Sequence, residues 1–255
     1  MTSERKALFA SLGLLGLVLL AWEFLPPAFG VPVFIIPTFS DCLAEFARMW
    51  RVEGLVGHTL STALYTVLGF AIGSALGAAL GYALGMSAFW EKVLSPYILA
   101  LQIAPKVAFA PLFIMWFGYN AMPKLLVTVL IVFFPVLVNV LQAMRTVDRD
   151  LVNLARAYNL SRWQIFLKVE APSTVPNLMA GLRIASTLAV IGVTVGELVG
   201  GNTGLGFLIS YGGGQANAAM VFNAIVLLTV IGFLLYSALA RVEARVLHYL
   251  PKAQH

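Results

Sequence analysis

Charge is scarce in this chain. Only 11% of its 255 residues are Asp, Glu, Lys or Arg, against about 25% in an ordinary soluble domain. Some 60% are hydrophobic. A chain this oily belongs in a membrane, and its length suits one domain of several spans. There is one cysteine, Cys42, which excludes an internal disulfide. The three histidines, His58, His248 and His255, stand far apart, so no metal site is expected. No HExxH, CxxC, GxSxG or Walker pattern occurs, and no base stands in sequence beside a serine or the cysteine. These absences argue against an enzyme. The formal charge of +5 is scattered along loops and span ends, where a bilayer accounts for it, and nucleic acid is not an expected partner.

What is present is a series of apolar stretches at about 7–25, 58–86, 93–117, 123–143, 174–199 and 218–240. Such runs rise by ~1.5 Å per residue and cross roughly 30 Å of hydrocarbon. They predict an all-α, polytopic membrane protein of about six transmembrane helices. Between the first two, Pro26, Pro27, Pro32 and Pro37 mark an extended entry. A short helix reaching about Arg51 follows, capped by Ser40 or Asp41. Cys42 reads there as a small filler and His58 as a hydrogen-bonded anchor. The second stretch repeats Gly69, Gly73, Gly77, Gly81 and Gly85 every four residues. Such a ladder lets another helix approach backbone to backbone, from this chain or a second copy.

The third stretch is interrupted by Pro96, Pro105 and Pro111 and carries Lys106 near its middle. An intramembrane charge is costly, so Lys106 is either functional, a structural ion pair or a lysine snorkelling from a kink. Glu197 is its possible partner. Lys106, Asn139, Thr194 and Glu197 are the candidates for lining a translocation path. Residues 200–217, GGNTGLGFLISYGGGQAN, read as a re-entrant or surface loop. They are no phosphate loop, because the GK[ST] ending is missing.

One stretch faces water: TVDRDLVNLARAYNLSRWQIFLKVEAPSTVP, residues 146–176. It reads as two short helices with a corner. Asp148 caps the first. Asn159 makes the turn, since Asn tolerates the left-handed conformation. Ser161 and Gln164 form a capping box for the second, which Pro172 stops, and Pro176 suits the first turn of the next helix. An amphipathic helix lying on the membrane surface is the plain alternative.

NLARAYNLSRWQIFLKVEAP followed by NLMAGLRIA resembles the cytoplasmic loop of ABC-importer permeases, with its pattern of Glu-Ala-Ala, three residues, Gly, and a later Pro. APLFIMWFG (110–118), FFPVLVN (133–139), GELVGG and GLGFLI match as well, and together they resemble the nitrate/sulfonate/taurine branch. Asn153, Leu154 and Asn159 depart from that loop pattern. The resemblance implies a type I permease fold and one transmembrane domain over 1–255. That domain has a core at 58–247, a first span at 7–25 and a cytoplasmic coupling loop at 146–173. It implies coupling residues Asn153, Ala155, Arg156, Tyr158, Asn159, Leu160, Ser161 and Arg162, with the corner Tyr158–Leu160 entering a groove of the partner. The implied partners are cytoplasmic ATPase subunits, which hold the ATP and Mg, an extracytoplasmic binding protein and a second copy of the chain. No cofactor is expected in the chain itself. The solute would be a small anion such as nitrate, taurine or a sulfonate, or else a pyrimidine precursor, riboflavin or an aromatic carboxylate. An intramembrane enzyme or a purely structural subunit are the other classes.

Six spans put both termini on one side. Arg5, Lys6, Lys92, Arg145, Arg149, Arg156, Arg162, Lys168, Arg241, Arg245 and Lys252 fall on that side, against Arg48, Arg51 and Lys124 on the other. The excess predicts cytoplasmic termini and a cytoplasmic elbow in a bacterial inner membrane.

Overall fold

The computed structural model describes residues 3–248, without the side chains of residues 3–6 and 8; Arg5, Lys6, Lys252 and His255 therefore lie outside the described side chains. The regular structure of the described residues is all helical: α1 (Ser3–Ala28), α2 (Phe39–Arg51), α3 (Leu55–Gly85), α4 (Ala88–Ile103), α5 (Ala110–Phe117), α6 (Ala121–Arg145), α7 (Arg149–Ala157), α8 (Arg162–Ile165), α9 (Ala171–Gly200), α10 (Leu205–Gly214) and α11 (Ala218–Val246). Among the described residues five helices are long and apolar enough to cross a bilayer, and the bent pair α4–α5 makes a sixth if taken as one span.

The core forms around α6, where Val127, Val132, Val136, Leu137 and Val140 are fully buried. Two glycine-lined helices clasp it. A Cβ on Gly73 of α3 would lie 2.9 Å from Val132, one on Gly77 would lie 2.5 Å from the Phe133 carbonyl, and one on Gly81 would lie 2.9 Å from Val140. The glycine and its contact advance together, so α3 and α6 run parallel. From the other side, Gly181 meets Asn139 and Gly192 meets Thr128, a falling order that makes α9 antiparallel. Lipid gives no hydrophobic reward for pairing helices, so close backbone packing supplies the attraction. The ladder's partner is thus within the chain.

Four expectations need correction. Thr38, not Ser40 or Asp41, caps α2, with Asp41 completing a capping box. Pro26 and Pro27 lie inside the end of α1 rather than in an extended segment. The third span is broken: α4 ends at Ile103, Lys106–Phe109 form a 3-10 turn, and the halves bend by 83°. Pro105 supplies no N–H and disfavours helix in the residue before it. Finally, Pro172 does not stop its helix. Arg162–Gly200 is one 39-residue helix, because a π turn at Phe166–Glu170 precedes the proline. The wider turn lets the Ala171 N–H reach the Phe166 carbonyl, and the Ser173 hydroxyl bonds the Val169 carbonyl at 2.6 Å. Proline's clash and missing donor are thereby absorbed.

Candidate functional site: the elbow and a buried ion pair

The elbow is built by local rules. Asp148 accepts the Asp150 N–H at 2.8 Å. α7 ends in a Schellman motif: Asn159 has φ 54°, its N–H bonds the Arg156 carbonyl at 2.8 Å, and the Leu160 N–H bonds the Ala155 carbonyl at 3.1 Å. The Ser161 N–H then donates to Gln164 Oε1 at 2.8 Å, and the Gln164 N–H to Ser161 Oγ at 3.3 Å. Asn159 serves here as glycine would, at the one corner that requires a positive φ.

α7 is amphipathic in an unusual sense. Leu151, Leu154 and Tyr158 form one stripe, and they are 47%, 55% and 73% exposed. Arg149, Asn153 and Arg156 form the opposite stripe and line a cleft of about 720 Å³ against the ends of α3, α4 and α6. Ala155 is buried beneath the elbow and Leu160 is half-buried. The apolar face that lacks cover is therefore Leu151–Leu154–Tyr158, rather than the corner Tyr158–Asn159–Leu160. Sequence pattern missed it because an apolar stripe is ordinarily read as the buried face.

The elbow is fastened to the bundle. Arg162 donates to Glu170 Oε1 at 2.5 Å and to the Met86 carbonyl at 3.1 Å, reaching the end of α3. Phe166 packs edge-on against Tyr82, with centroids 5.4 Å apart, and the Tyr82 hydroxyl meets Thr174 Oγ1 at 3.0 Å. Arg145 bonds Glu91 at the start of α4.

At the far end of α9 lies a constellation the sequence did not reveal. Glu197 is 1% exposed and Lys124 3%. The Lys124 ammonium donates to Glu197 Oε1 at 3.2 Å and to Ser61 Oγ at 2.9 Å, and lies 4.5 Å from the Tyr65 ring centroid. Glu197 Oε2 accepts the Thr62 hydroxyl at 2.8 Å and the Gly206 N–H at 3.0 Å. Thr62 Oγ1 accepts the Leu205 N–H at 2.8 Å, and His58 Nδ1 accepts the Gly204 N–H at 2.9 Å. A buried charge pair is tolerable only when its remaining donors and acceptors are also satisfied. Here they close the open N-terminus of α10. Gly204 and Gly206 leave no room for a Cβ against the Glu197 side chain, and Gly196 brings α9 against the Lys124 backbone. Within the Gly-rich stretch, Leu205–Gly214 form a helix pinned by its first turn.

These contacts relocate several candidates. Glu197 pairs with Lys124, not Lys106, and is sealed inside the bundle. Lys124 is a buried member of the first turn of α6, not an exposed outer charge. Lys106 turns back to the carbonyls of Gln102 and Ala104, the groups left free where α4 breaks, and lies 4.9 Å from the centroid of the Phe134 ring. It lines a cleft of about 360 Å³ with Gln102, Phe134, Leu188 and Ile191. Asn139 donates to the Pro135 carbonyl at 2.8 Å, and Thr194 to the Val190 carbonyl at 2.7 Å. Neither lines that cleft. The signal that could have found Lys124 was scarcity. A carboxylate buried among spans needs a cation, and few lie near the spans in sequence.

Comparison with known proteins agrees with this architecture. Residues 57–248 match the family described as "Binding-protein-dependent transport system inner membrane component". The chain is 41% identical over 221 residues to the riboflavin transport system permease protein RibX of Chloroflexus aurantiacus, covering 86% of this chain and 82% of the relative. It is 30% identical over 232 residues to the putative aliphatic sulfonates transport permease protein SsuC of Bacillus subtilis, covering 91% and 84%. In fold it is similar to a chain of the MetNI methionine ABC transporter in an inward-facing conformation, with a TM-score of 0.68 at 21% identity, covering 76% of this chain and 97% of that one. Family membership implies ATPase and binding-protein partners and a multi-pass place in the inner membrane. The chain belongs to the binding-protein-dependent transport system inner membrane components: it is a permease subunit of an ABC importer, without an ATPase domain of its own.

Proposed function

We propose that this single transmembrane domain pairs with a second copy, with termini and elbow in the cytoplasm, and that the elbow docks an ATPase subunit through Leu151, Leu154 and Tyr158. The carrying observation is that exposed apolar stripe on a polar, well-capped helix. A stripe of large apolar side chains left open beside charged groups is what a partner covers. The 39-residue helix beginning at Arg162 is roughly 58 Å long. It links the elbow to the pinned outer end, so a pull on one end is delivered to the other. ATP-driven closure of the partner shifts the access of the path only by favouring one arrangement of these helices over another.

For the solute, the proposal is a small planar heteroaromatic compound delivered by a binding protein. Supporting this over a sulfonate is the higher identity to the permease named for riboflavin than to the one named for aliphatic sulfonates. Uptake of labelled riboflavin by cells carrying the whole importer, competed by an alkanesulfonate, tests this. Uptake of the labelled alkanesulfonate with no flavin uptake overturns it.

The docking test replaces Leu154 and Tyr158 with Ser together. Truncating central anchors of an interface commonly costs about 2 kcal/mol or more each, on the order of thirtyfold in affinity. Membrane abundance stays normal, ATPase co-purification falls and uptake is lost. Normal uptake with the ATPase bound makes the elbow a membrane-surface helix. Topology is checked with cysteines at Asn120 and Asn202, which label from outside with an impermeant reagent, and at Asn159, which does not.

A further inference from the structure

A cleft of about 720 Å³ lies between α7 and the ends of α3, α4 and α6, and the docking reading does not use it. Arg149, Asn153 and Arg156 face it from one stripe of α7. Among the described residues neither Arg149 nor Arg156 has a hydrogen-bond or ion-pair partner. Arg145 and Arg162 also line the cleft but are engaged with Glu91 and Glu170. Ala88 at its wall begins α4, a 16-residue helix whose N-cap, Ser87, makes no side-chain hydrogen bond to the first turn. The open amides and dipole of that end favour an anion. Against this positive surface stands one unmet acceptor. Glu170 Oε2 is buried with no hydrogen-bond partner.

We propose that this cleft holds a phospholipid headgroup of the inner leaflet, with its phosphodiester on Arg149 and Arg156 and a primary ammonium on Glu170. Arginine forks fit phosphate oxygens, and an N–H donor is what the free carboxylate oxygen requires. Gly85 and Met86, at the end of α3, line the cleft. Phe89 and Trp90 stand exposed on the first turn of α4, as side chains at a headgroup boundary do. A protein partner is disfavoured as occupant. One seated on Leu151, Leu154 and Tyr158 covers the opposite side of α7 and leaves the arginine stripe towards the membrane. The inference rests on the proposed cytoplasmic placement of the elbow and, in excluding a protein occupant, on the proposed ATPase contact.

The test is native mass spectrometry of the delipidated importer complex. The probes are short-chain phosphatidylethanolamine, phosphatidylcholine and inorganic phosphate. The expected result is retention of phosphatidylethanolamine over phosphatidylcholine, whose quaternary nitrogen has no N–H to donate. Arg149→Gln with Arg156→Gln lowers retention about tenfold or more, and the Arg149→Lys, Arg156→Lys pair keeps most of it. Glu170→Gln removes the preference between the two lipids. Co-purification of the ATPase with each variant reports that the complex is intact. Retention unchanged in the double Gln variant overturns the proposal. So does displacement of the lipid by inorganic phosphate, which makes the ligand a soluble anion. Loss of the ATPase with lipid retained also overturns it, since the arginines then serve the protein partner. Failure of the topology labelling alone identifies an error in placement instead.

Discussion

Two carboxylates stand near opposite ends of one continuous helix. Glu197, near the C-terminal end, meets an ammonium, a hydroxyl and a backbone amide, and both it and Lys124 are sealed from solvent. Glu170, in the π turn at the elbow end, is bonded through one oxygen to Arg162, whose side chain is 44% exposed, while its other oxygen has no partner. Each site contains one acid and one base, yet their consequences differ. In the sealed site either charge alone is costly, so the pair holds α3, α6, α9 and the start of α10 together. At the elbow the carboxylate is buried but its cation is open to water, so Arg162 can exchange partners and the same chemistry is free to answer to an ATPase or a lipid. The membrane half is fixed where it is dry and adjustable where it is wet.

The largest effect that can break this contrast comes from Lys124→Met, which strands Glu197. The expected loss is about 3–5 kcal/mol, read as a drop in membrane abundance and thermal stability of the purified complex. Replacing both residues, Lys124→Met with Glu197→Leu, recovers a good part of it. A single variant as stable as the parent shows that water reaches the carboxylate.

Midway along the bundle neither charge matters and packing alone decides. Gly77→Leu drives a side chain into the Phe133 carbonyl and Val136, at a cost of about 1–3 kcal/mol. Gly57→Ala, where nothing lies within 4 Å of the added Cβ, is neutral or slightly stabilising. Thermal shifts of the two variants measured side by side check the direction. Equal shifts contradict the α3–α6 contact.

At the elbow the prediction inverts. Arg162→Gln leaves the buried Glu170 without its cation and costs about 1–3 kcal/mol, less than Lys124→Met because Arg162 itself is 44% exposed, and it unties α9 from Met86 and slows ATP-driven uptake. Stability loss comparable to that of Lys124→Met makes the elbow pair structural.

The smallest effect is a null. Cys42 is 5% exposed, and burial pushes its thiol up to about 11. Because the folded pKa lies above the ordinary thiol range, almost no thiolate exists at pH 7–8. The unmodified protein therefore stays unlabelled by a maleimide at that pH and reacts only on unfolding. Rapid labelling in the native state places Cys42 on an open surface and removes the background on which the topology test depends.

The sequence by itself determined whatever depends on neighbours along the chain. The apolar runs are set by side-chain transfer to lipid, the Schellman corner by Asn159, and the capping box by Ser161 and Gln164. The glycine ladder announced a close helix contact through period alone. Tertiary structure decided what depends on distance through space. Only it assigned Lys124 to Glu197, because residues 73 positions apart leave no periodic trace. Only it turned GLGFLI into a helix, since the bonds that pin its first turn come from Thr62, His58 and Glu197 on other spans. Only it left Leu151, Leu154 and Tyr158 uncovered, because helical spacing gives a stripe its direction and the rest of the fold settles whether anything lies against it.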